Sequence, residues 1–413
     1  MPRVGCKQCG KVLRAGLAKC SRCGTAVTNQ TRGGRRASLV IGCSAAAIIF
    51  GVAAAAVYIS HVHPKTASAS QQAVSAAPIV RSPSCMRTAI PKADHAKQRT
   101  LEDVFSLAVA PVATTNEWDV AEADLLCAQG LPGAEGATVA ECLRTLDDWT
   151  EHVRKEIIRT YPKFLRHPAL ADNSEARYCV MMITTVLAED MGCGYNMDLV
   201  NSGVMNDLTT RTFFRNSADL FIHGLLTGKK KGTCSSMPVF VTAIGRRLGF
   251  PLKLVGAKAH LFVRWEDAKE RFNIECAGQG VAFYPDEYYM AWPQPISEDE
   301  IKQGLYLRSL TTAEELGTFL SLRASCLMAN ARYDDARSPA EKALVLYPAD
   351  RTARQILMEL AGMHQRQAVA DRQRAMEDAA ATMRANKQHE AANLVLGYEP
   401  APGPAGSFRK GGR

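Results

Sequence analysis

The chain has 413 residues, long enough for two or three domains, and its formal net charge is +9. The first 36 residues hold nine Lys or Arg and no acidic residue, so this segment accounts for the whole net charge. The remainder is electrically balanced, and its global charge gives no case for nucleic-acid binding.

Two paired cysteine motifs lie near the N-terminus. Cys6 and Cys9 form one pair, Cys20 and Cys23 form the second, and a glycine follows each pair. Four thiolates at this spacing suit one tetrahedral Zn²⁺, and glycine permits the tight turn at each pair. The sequence therefore predicts a zinc ribbon over residues 1–30, with Zn²⁺ in a structural role. We interpret the ribbon as a small interaction module; nucleic-acid binding by it is the alternative.

An uncharged segment of 23 residues follows, from Ala37 to Ile59. As a helix it would be about 35 Å long, enough to cross the apolar core of a bilayer. The alternatives are a buried helix and a secretory signal, but a folded module ahead of the segment favours a retained anchor. Arg32, Arg35 and Arg36 precede it. The sequence thus predicts a single-pass protein of the cell membrane, with its N-terminus in the cytoplasm and its main domain outside.

The next part of the chain is predicted to be a linker followed by helices. Residues 60–95 are rich in Ser, Ala, Pro and Gln, which is typical of a flexible linker. Apolar residues at helical spacing then predict helices over Glu102–Ala110, Val120–Gln129, Ala137–Arg159 and Glu175–Asp190.

Tyr195 and Asn196 lie in a polar stretch beyond these helices. We interpret this pair as a plain turn; lining of a cleft or donation to an oxyanion is the alternative.

The residues around Cys234 form the candidate active site. Cys234 precedes a predicted helix from Val239 to Gly249, in which apolar residues recur at i, i+3 and i+7 from Val241. A cysteine at a helix start lies among unpaired N–H groups and at the positive end of the helix dipole. Both favour the thiolate, which is the nucleophilic form. The alternative is that Cys234 belongs to a disulfide or is simply buried.

Candidate partners for this cysteine lie on the strands that follow. Runs typical of strands cover Leu252–Gly256, His260–Trp265 and Arg271–Glu275, with a polar turn between the last two. Antiparallel pairing brings Glu275, or its same-face neighbour Asn273, roughly opposite His260. Cys, His and a polar residue on successive elements form a nucleophile, a base and an orienting group. The alternatives are a strand-capping role for His260 and, for Glu275, a surface or cross-strand ion pair with Arg264 or Arg271.

Four motifs in this region carry a resemblance to a known family. They are Gly-Thr-Cys-Ser-Ser at 232–236, Ile-Gly-Arg-Arg-Leu-Gly at 244–249, His-Leu-Phe-Val-Arg-Trp at 260–265 and Phe-Asn-Ile-Glu at 272–275. Together they resemble the core of the transglutaminase-like superfamily, and within it the bacterial SirB-like branch, which often carries tetratricopeptide repeats. The resemblance implies an α+β, papain-like domain over residues 96–310, in which a cysteine-bearing helix packs on an antiparallel sheet. It also implies a Cys–His–Asp triad. Cys234 and His260 match its first two members, and Glu275 stands where the family usually has Asp.

The C-terminal part is predicted to be helical. Residues 311–363 show the pattern of one tetratricopeptide unit of about 34 residues, at Leu320, Ala324, Tyr333, Ala336, Ala343 and Pro348. A second, degenerate helix pair is predicted from Arg351 to Met363. The composition of residues 364–413 predicts an exposed helix and a disordered tail.

Trp292 lies ahead of these helices in the chain. We interpret it as packing on the core, with a place in the wall of the cleft as the alternative.

The residues and the resemblance together lead us to expect cysteine-dependent acyl transfer through Cys234, His260 and Glu275, with amide hydrolysis favoured over cross-linking. The expected substrate or partner is a protein or peptide. The alternative is a scaffold or binding protein that keeps the fold without the chemistry, since fold does not imply function.

Disulfides are a further expectation, because an extracytoplasmic domain permits them. Cys127 with Cys142, and Cys179 with Cys193, are the candidate pairs by their nearness in sequence.

Overall fold

The computed structural model describes residues 3–5, 12–14, 83–84, 86, 99–110, 118–204, 211–278 and 280–397. The chain divides into two compact units, Met1–Ser44 and Ala45–Arg413. In the first unit, strands β1 (Arg3–Gly5) and β2 (Val12–Arg14) pair in antiparallel orientation.

The structure corrects the predicted membrane and metal assignments. Among the described residues, no helix is long and apolar enough to cross a membrane, which contradicts the single-pass localisation. The long helices among the described residues carry charged side chains along their length. None of them therefore has an apolar segment long enough to span the apolar core of a bilayer. The described residues also contain no group of three or more His, Cys, Asp or Glu side chains that could hold a metal ion. The four cysteines of the predicted zinc ribbon and the segment 37–59 lie outside the described residues.

The second unit combines helices with small sheets and is α+β. Its strands are β3 (Gly194–Tyr195), β4 (Lys231–Gly232), β5 (Leu252–Ala257), β6 (His260–Glu266) and β7 (Arg271–Ile274). Its α-helices are α1 (Leu101–Val109), α2 (Val120–Ala128), α3 (Val139–Arg166), α4 (Glu175–Glu189), α5 (Met197–Asn201), α6 (Ser217–Leu220), α7 (His223–Leu226), α8 (Ser236–Arg247), α9 (Asp286–Ala291), α10 (Glu298–Lys302), α11 (Thr312–Ala329), α12 (Tyr333–Leu346) and α13 (Arg351–Leu396).

The four predicted N-terminal helices are confirmed as α1 to α4. Each begins where a polar side chain accepts a hydrogen bond from an otherwise unpaired N–H group of the first turn; these caps are Thr100, Asp119, Thr138 and Ser174. Helix α3 runs past its predicted end at Arg159 to Arg166, although Pro162 lies inside it. The predicted strands after α8 are also confirmed, each within two residues of its predicted bounds.

Strands β5, β6 and β7 form an antiparallel sheet with β6 in the centre. Side chains at alternate positions of β6, such as Val263 and Trp265, face the main core. The opposite face carries Phe262 in a smaller cluster with Tyr289 of α9. Because both faces of β6 are covered, all of its residues from His260 to Trp265 are buried.

Helices α11 and α12 pack closely at Gly317, where an added Cβ atom would lie 2.8 Å from Tyr347 Cβ. Helix α13 then corrects the prediction of a second helix pair over Arg351–Met363. It is one helix of 46 residues that packs through Ala353, Ile356 and Leu360 and is exposed over most of its remaining length. Its exposed part includes the helix predicted after residue 364; residues 398–413 lie outside the described residues.

The described cysteines also correct the predicted disulfides. Cys127, Cys142 and Cys193 are buried free thiols, so neither predicted pair is bridged. Each of these side chains fills space in the main core.

Candidate active site

Cys234 lies in the turn between β4 and the start of α8. Its neighbours fix this turn: Thr233 N–H donates to Ser236 Oγ at 3.0 Å, and Ser235 N–H donates to Thr233 Oγ1 at 3.2 Å. The Thr233 hydroxyl in turn donates to the carbonyl oxygen of Asp219 at 2.6 Å. Of the residues from 232 to 236, Cys234 alone is not buried. The small polar residues of this motif therefore anchor the helix start and leave the thiol accessible.

His260 and Glu275 face each other across the sheet. The distance from His260 Nε2 to Glu275 Oε2 is 2.7 Å, and both side chains are buried. Ile274 pairs with Val263, so Glu275 lies diagonally across from His260, on the same face of the sheet. Glu275 is held from other directions as well. Its Oε1 atom accepts from the N–H group of Ala277, and its Oε2 atom accepts from the Tyr289 hydroxyl.

Asn273, the other candidate for the orienting role, has different partners. It pairs with Arg264 in the strand register, and its Oδ1 atom accepts from Arg264 Nε at 2.7 Å. Its amide nitrogen donates to Asp286 and to the carbonyl oxygen of Tyr284. The structure therefore brings Glu275, and not Asn273, to the imidazole. Arg264 is buried and engaged with Asn273 and Asp286, so the alternative ion pair of Glu275 with Arg264 is not formed.

The side chain of Cys234 lies close enough to the imidazole of His260 to interact with it and to contribute to its raised pKa. Because Nε2 of the imidazole faces Glu275, Nδ1 is the ring nitrogen that remains for the thiol. Burial alone lowers the pKa of His260. The charge of Glu275, the interaction with Cys234 and the hydrogen bond to Glu275 outweigh burial and raise that pKa to about 10. The site therefore stabilises an imidazolium directly beside the sulfur.

Tyr195 lies on a short strand next to the turn that carries Cys234, whereas the sequence favoured a plain turn. Strands β3 and β4 pair in parallel, with Tyr195 opposite Gly232. Burial, followed by the charges of Cys234 and Glu275, raises the pKa of the Tyr195 hydroxyl, which places this hydroxyl near the thiol. Asn196 supports the same strand pair, because its N–H group donates to Gly232 O and its side chain to Asp219 Oδ1, each at 2.8 Å.

Aromatic rings cover the histidine. The Trp292 ring meets the His260 ring edge to face with 4.7 Å between centroids, and the Tyr289 ring lies 6.1 Å away. Trp292 also packs against Tyr288, so it lies beside the candidate site, which the sequence left as the alternative to packing on the core. Apolar cover of this kind excludes water from the His260–Glu275 hydrogen bond and strengthens it.

No family model matches the chain, and neither a curated protein nor a solved structure matches it. The residues of the site and their geometry therefore carry the functional conclusion.

Proposed function

We propose that the protein is a cysteine-dependent acyl-transfer enzyme that hydrolyses an amide bond of a peptide or protein. The observation that carries this proposal is that His260 hydrogen-bonds Glu275 and interacts with Cys234. An accessible thiol, a buried imidazole and a buried carboxylate stand in the order required of a nucleophile, a base and an orienting group.

The first half of the reaction forms a thioester. The Cys234 thiolate attacks the amide carbonyl carbon, and the carbonyl electron pair moves onto oxygen to give a tetrahedral oxyanion. When the oxyanion collapses, the carbon–nitrogen bond breaks and the His260 imidazolium gives its proton to the leaving amine. A thioester on Cys234 and a neutral imidazole remain.

The second half of the reaction releases the acid. Neutral His260 takes a proton from water while the water oxygen attacks the thioester carbon, and a second tetrahedral intermediate forms. Its collapse breaks the carbon–sulfur bond, which returns the electron pair to Cys234 as thiolate and leaves His260 protonated. If an amine replaced water in this step, the product would be a cross-linked amide.

Glu275 acts on this cycle through the imidazole. Its carboxylate accepts from Nε2, which fixes the ring orientation and compensates the charge of the imidazolium. The hydrogen bonds from Ala277 and Tyr289 hold the carboxylate in place. The longer side chain of Glu, compared with Asp, suits the diagonal separation between the ends of β6 and β7.

The fold supports assignment of this unit to the transglutaminase-like superfamily as part of the same proposal. The cysteine precedes a buried helix, α8, and the histidine and carboxylate follow on an antiparallel sheet against which that helix packs. This is the order that the four sequence motifs imply. We assign the α11–α12 hairpin to a tetratricopeptide-like repeat, on its helix lengths and its close contact at Gly317.

Covalent capture of the acyl group tests the proposal. The full-length chain is incubated with p-nitrophenyl acetate, an activated acyl donor, and the Cys234 peptide is analysed by mass spectrometry. We expect one acetyl group on Cys234 that neutral hydroxylamine removes, together with p-nitrophenol release that Cys234→Ala abolishes. Cys326→Ala, a buried cysteine in α11, is the matched control and keeps the wild-type rate. An unmodified Cys234, or release that is unchanged in Cys234→Ala, would identify the protein as a scaffold without this chemistry.

A further inference from the structure

We propose that α13 is a dimerisation helix: an exposed apolar stripe on α13 pairs with the same stripe of a second copy of this chain, and the two helices run antiparallel. This inference is independent of the proposed acyl transfer.

The large apolar side chains in the exposed part of α13 lie on one line. Between residues 364 and 394 these side chains are Val369, Met376, Met383 and Leu394, and each is between 61% and 83% exposed. At 3.6 residues per turn, all four lie within about 40° of one line along the helix. The same line carries Gln373, Ala380, Lys387 and Ala391, and these eight residues form the α13 stripe. A stable helix usually buries a face of this kind against a partner.

The α13 stripe is open to a second molecule along its whole length. Helix α13 packs on the rest of its unit through Ala353, Ile356 and Leu360. Leu360 precedes Val369 by two and a half turns, so the packed face and the stripe lie on opposite sides of the helix. Residues 364–396 then continue for about 50 Å and are exposed at nearly every position. The stripe extends over more than three heptad lengths, the range in which such a repeat predicts a coiled coil.

The charges that border the stripe fit a second copy of the same helix. They are Arg366, Arg372, Glu377, Arg384 and Glu390. Glu377 and Arg384 lie along one edge of the stripe, whereas Arg372 and Glu390 lie along the other. In an antiparallel pair the same edges of the two helices meet. If the helices cross near residue 381, Glu377 of each copy faces Arg384 of the other, and Arg372 faces Glu390. Both edges of the contact therefore carry opposite charges in register.

The stripe residues fit one another in the same register. Val369 lies opposite Leu394 of the other copy, and the small Ala380 lies opposite the large Met383. Met376 lies against the aliphatic stem of Lys387, whose ammonium group reaches solvent at the edge of the contact. In a parallel pair Lys387 would instead face Lys387 of the other copy and bring like charges together. The sequence of α13 thus favours the antiparallel dimer.

Sedimentation velocity of the full-length chain over a range of concentrations tests the inference. We expect the wild type to form a dimer with twice the chain mass of 44.8 kDa. Met383→Glu places a charge inside the contact and should weaken the dimer by at least about 10-fold in Kd. Ala385→Glu is the matched control, because it adds the same charge two residues away on the opposite side of the helix. Its Kd should match that of the wild type. Both variants keep a helix-forming residue, so α13 itself is retained.

Exchange of charges tests the antiparallel arrangement. Glu377→Arg faces Arg384 of the other copy, and Arg384→Glu faces Glu377, so each single variant should weaken the dimer by at least about 10-fold in Kd. A chain that carries both changes restores opposite charges across the contact and should dimerise as tightly as the wild type. In a parallel dimer residue 377 faces Arg372 instead, and the second change would give no rescue.

Three results would overturn the inference. A wild-type chain that stays monomeric at every concentration would show that the stripe does not bind a second copy and leaves it to another kind of partner. A dimer that Met383→Glu leaves intact, or that Ala385→Glu weakens equally, would show that the contact is not made by the stripe. Weakening by both single charge changes without rescue in the double variant would refute the antiparallel arrangement.

Discussion

The imidazole of His260 and the carboxylate of Glu275 lie 2.7 Å apart, diagonally across two strands of one sheet. Both side chains are buried, and Tyr289 and Trp292 cover the histidine. The low local dielectric makes this charge pair strong, so the protonation of His260, and with it the reactivity of Cys234, depends on Glu275.

Glu275→Gln should therefore nearly abolish acylation. The amide keeps the shape of the carboxylate but carries no charge, so the pKa of His260 falls and the imidazolium beside Cys234 is lost. We expect the burst of p-nitrophenol from p-nitrophenyl acetate at pH 7 to slow by about 10²-fold or more. Glu275→Asp should retain more activity than Glu275→Gln, because it keeps the charge on a shorter side chain. Glu287→Gln, at an exposed position of α9, serves as the control. If Glu275→Gln acylates normally, the carboxylate has no part in the reaction.

The raised pKa of His260 also predicts how stability depends on pH. A histidine with a higher pKa in the folded state than in the unfolded state stabilises the fold fully below about pH 6.5, its unfolded value. This contribution is lost as the pH rises toward the folded value of about 10. Urea unfolding from pH 6 to pH 10 should show wild-type stability falling relative to His260→Gln, by up to about 1.4 kcal/mol per pH unit. Parallel curves for the two proteins would mean that the pKa of His260 is not raised.

Removal of the Glu315 charge should destabilise the contact between α8 and α11. Glu315 is buried, binds Arg246 through both carboxylate oxygens, and accepts from Trp118 Nε1. Glu315→Gln leaves the partly buried Arg246 charge without its partner, which costs about 3 kcal/mol, the lower end of the range for a broken buried pair. Urea denaturation measures this loss. Glu341→Gln is the control, because its pair with Arg337 is exposed and its loss should change stability by less than about 0.5 kcal/mol. Equal stabilities of the two variants would refute the structural role of Glu315.

Two glycines in the C-terminal helices should respond to alanine in opposite ways. At Gly317 an added methyl group meets Tyr347 Cβ at 2.8 Å, so Gly317→Ala must force α11 and α12 apart and cost about 1–3 kcal/mol. At Gly362 the nearest atom is the end of the Arg366 side chain, at 3.4 Å. Gly362→Ala should stabilise α13 by about 0.5–1 kcal/mol, because alanine favours a helix. Thermal unfolding of both variants checks the pair, and a destabilised Gly362→Ala would argue against a continuous helix there.

The sequence predicts much of this site because its residues lie on elements with strong periodicity. The apolar pattern of α8 and the β-rich runs of β5 to β7 predict the order of Cys234, His260 and Glu275 along the fold. The pattern does not distinguish Glu275 from Asn273, because residues two apart share a face of the sheet. That choice depends on Arg264, which binds Asn273 and leaves Glu275 to the imidazole.

Other features have no local signal in the sequence. Strand β3 is two residues long, and its partner β4 begins 36 residues after it ends, so periodicity does not place Tyr195 beside Cys234. In place of the single helix α13, the sequence pattern predicts a helix pair that ends at Met363. The neighbouring Gly362 suggests a helix end, but glycine inside an exposed helix costs only about 1 kcal/mol.

The rate of Cys234 alkylation tests the central claim most directly. The full-length chain is treated with iodoacetamide at pH 7, and labelling of the Cys234 peptide is followed by mass spectrometry. If His260 activates Cys234, labelling should be at least about 10-fold slower in His260→Ala than in the wild type. His152→Ala, a change at an exposed histidine paired with Asp190, should leave the wild-type rate unchanged. A Cys234 that labels at the same rate in the presence and absence of His260 would contradict the account.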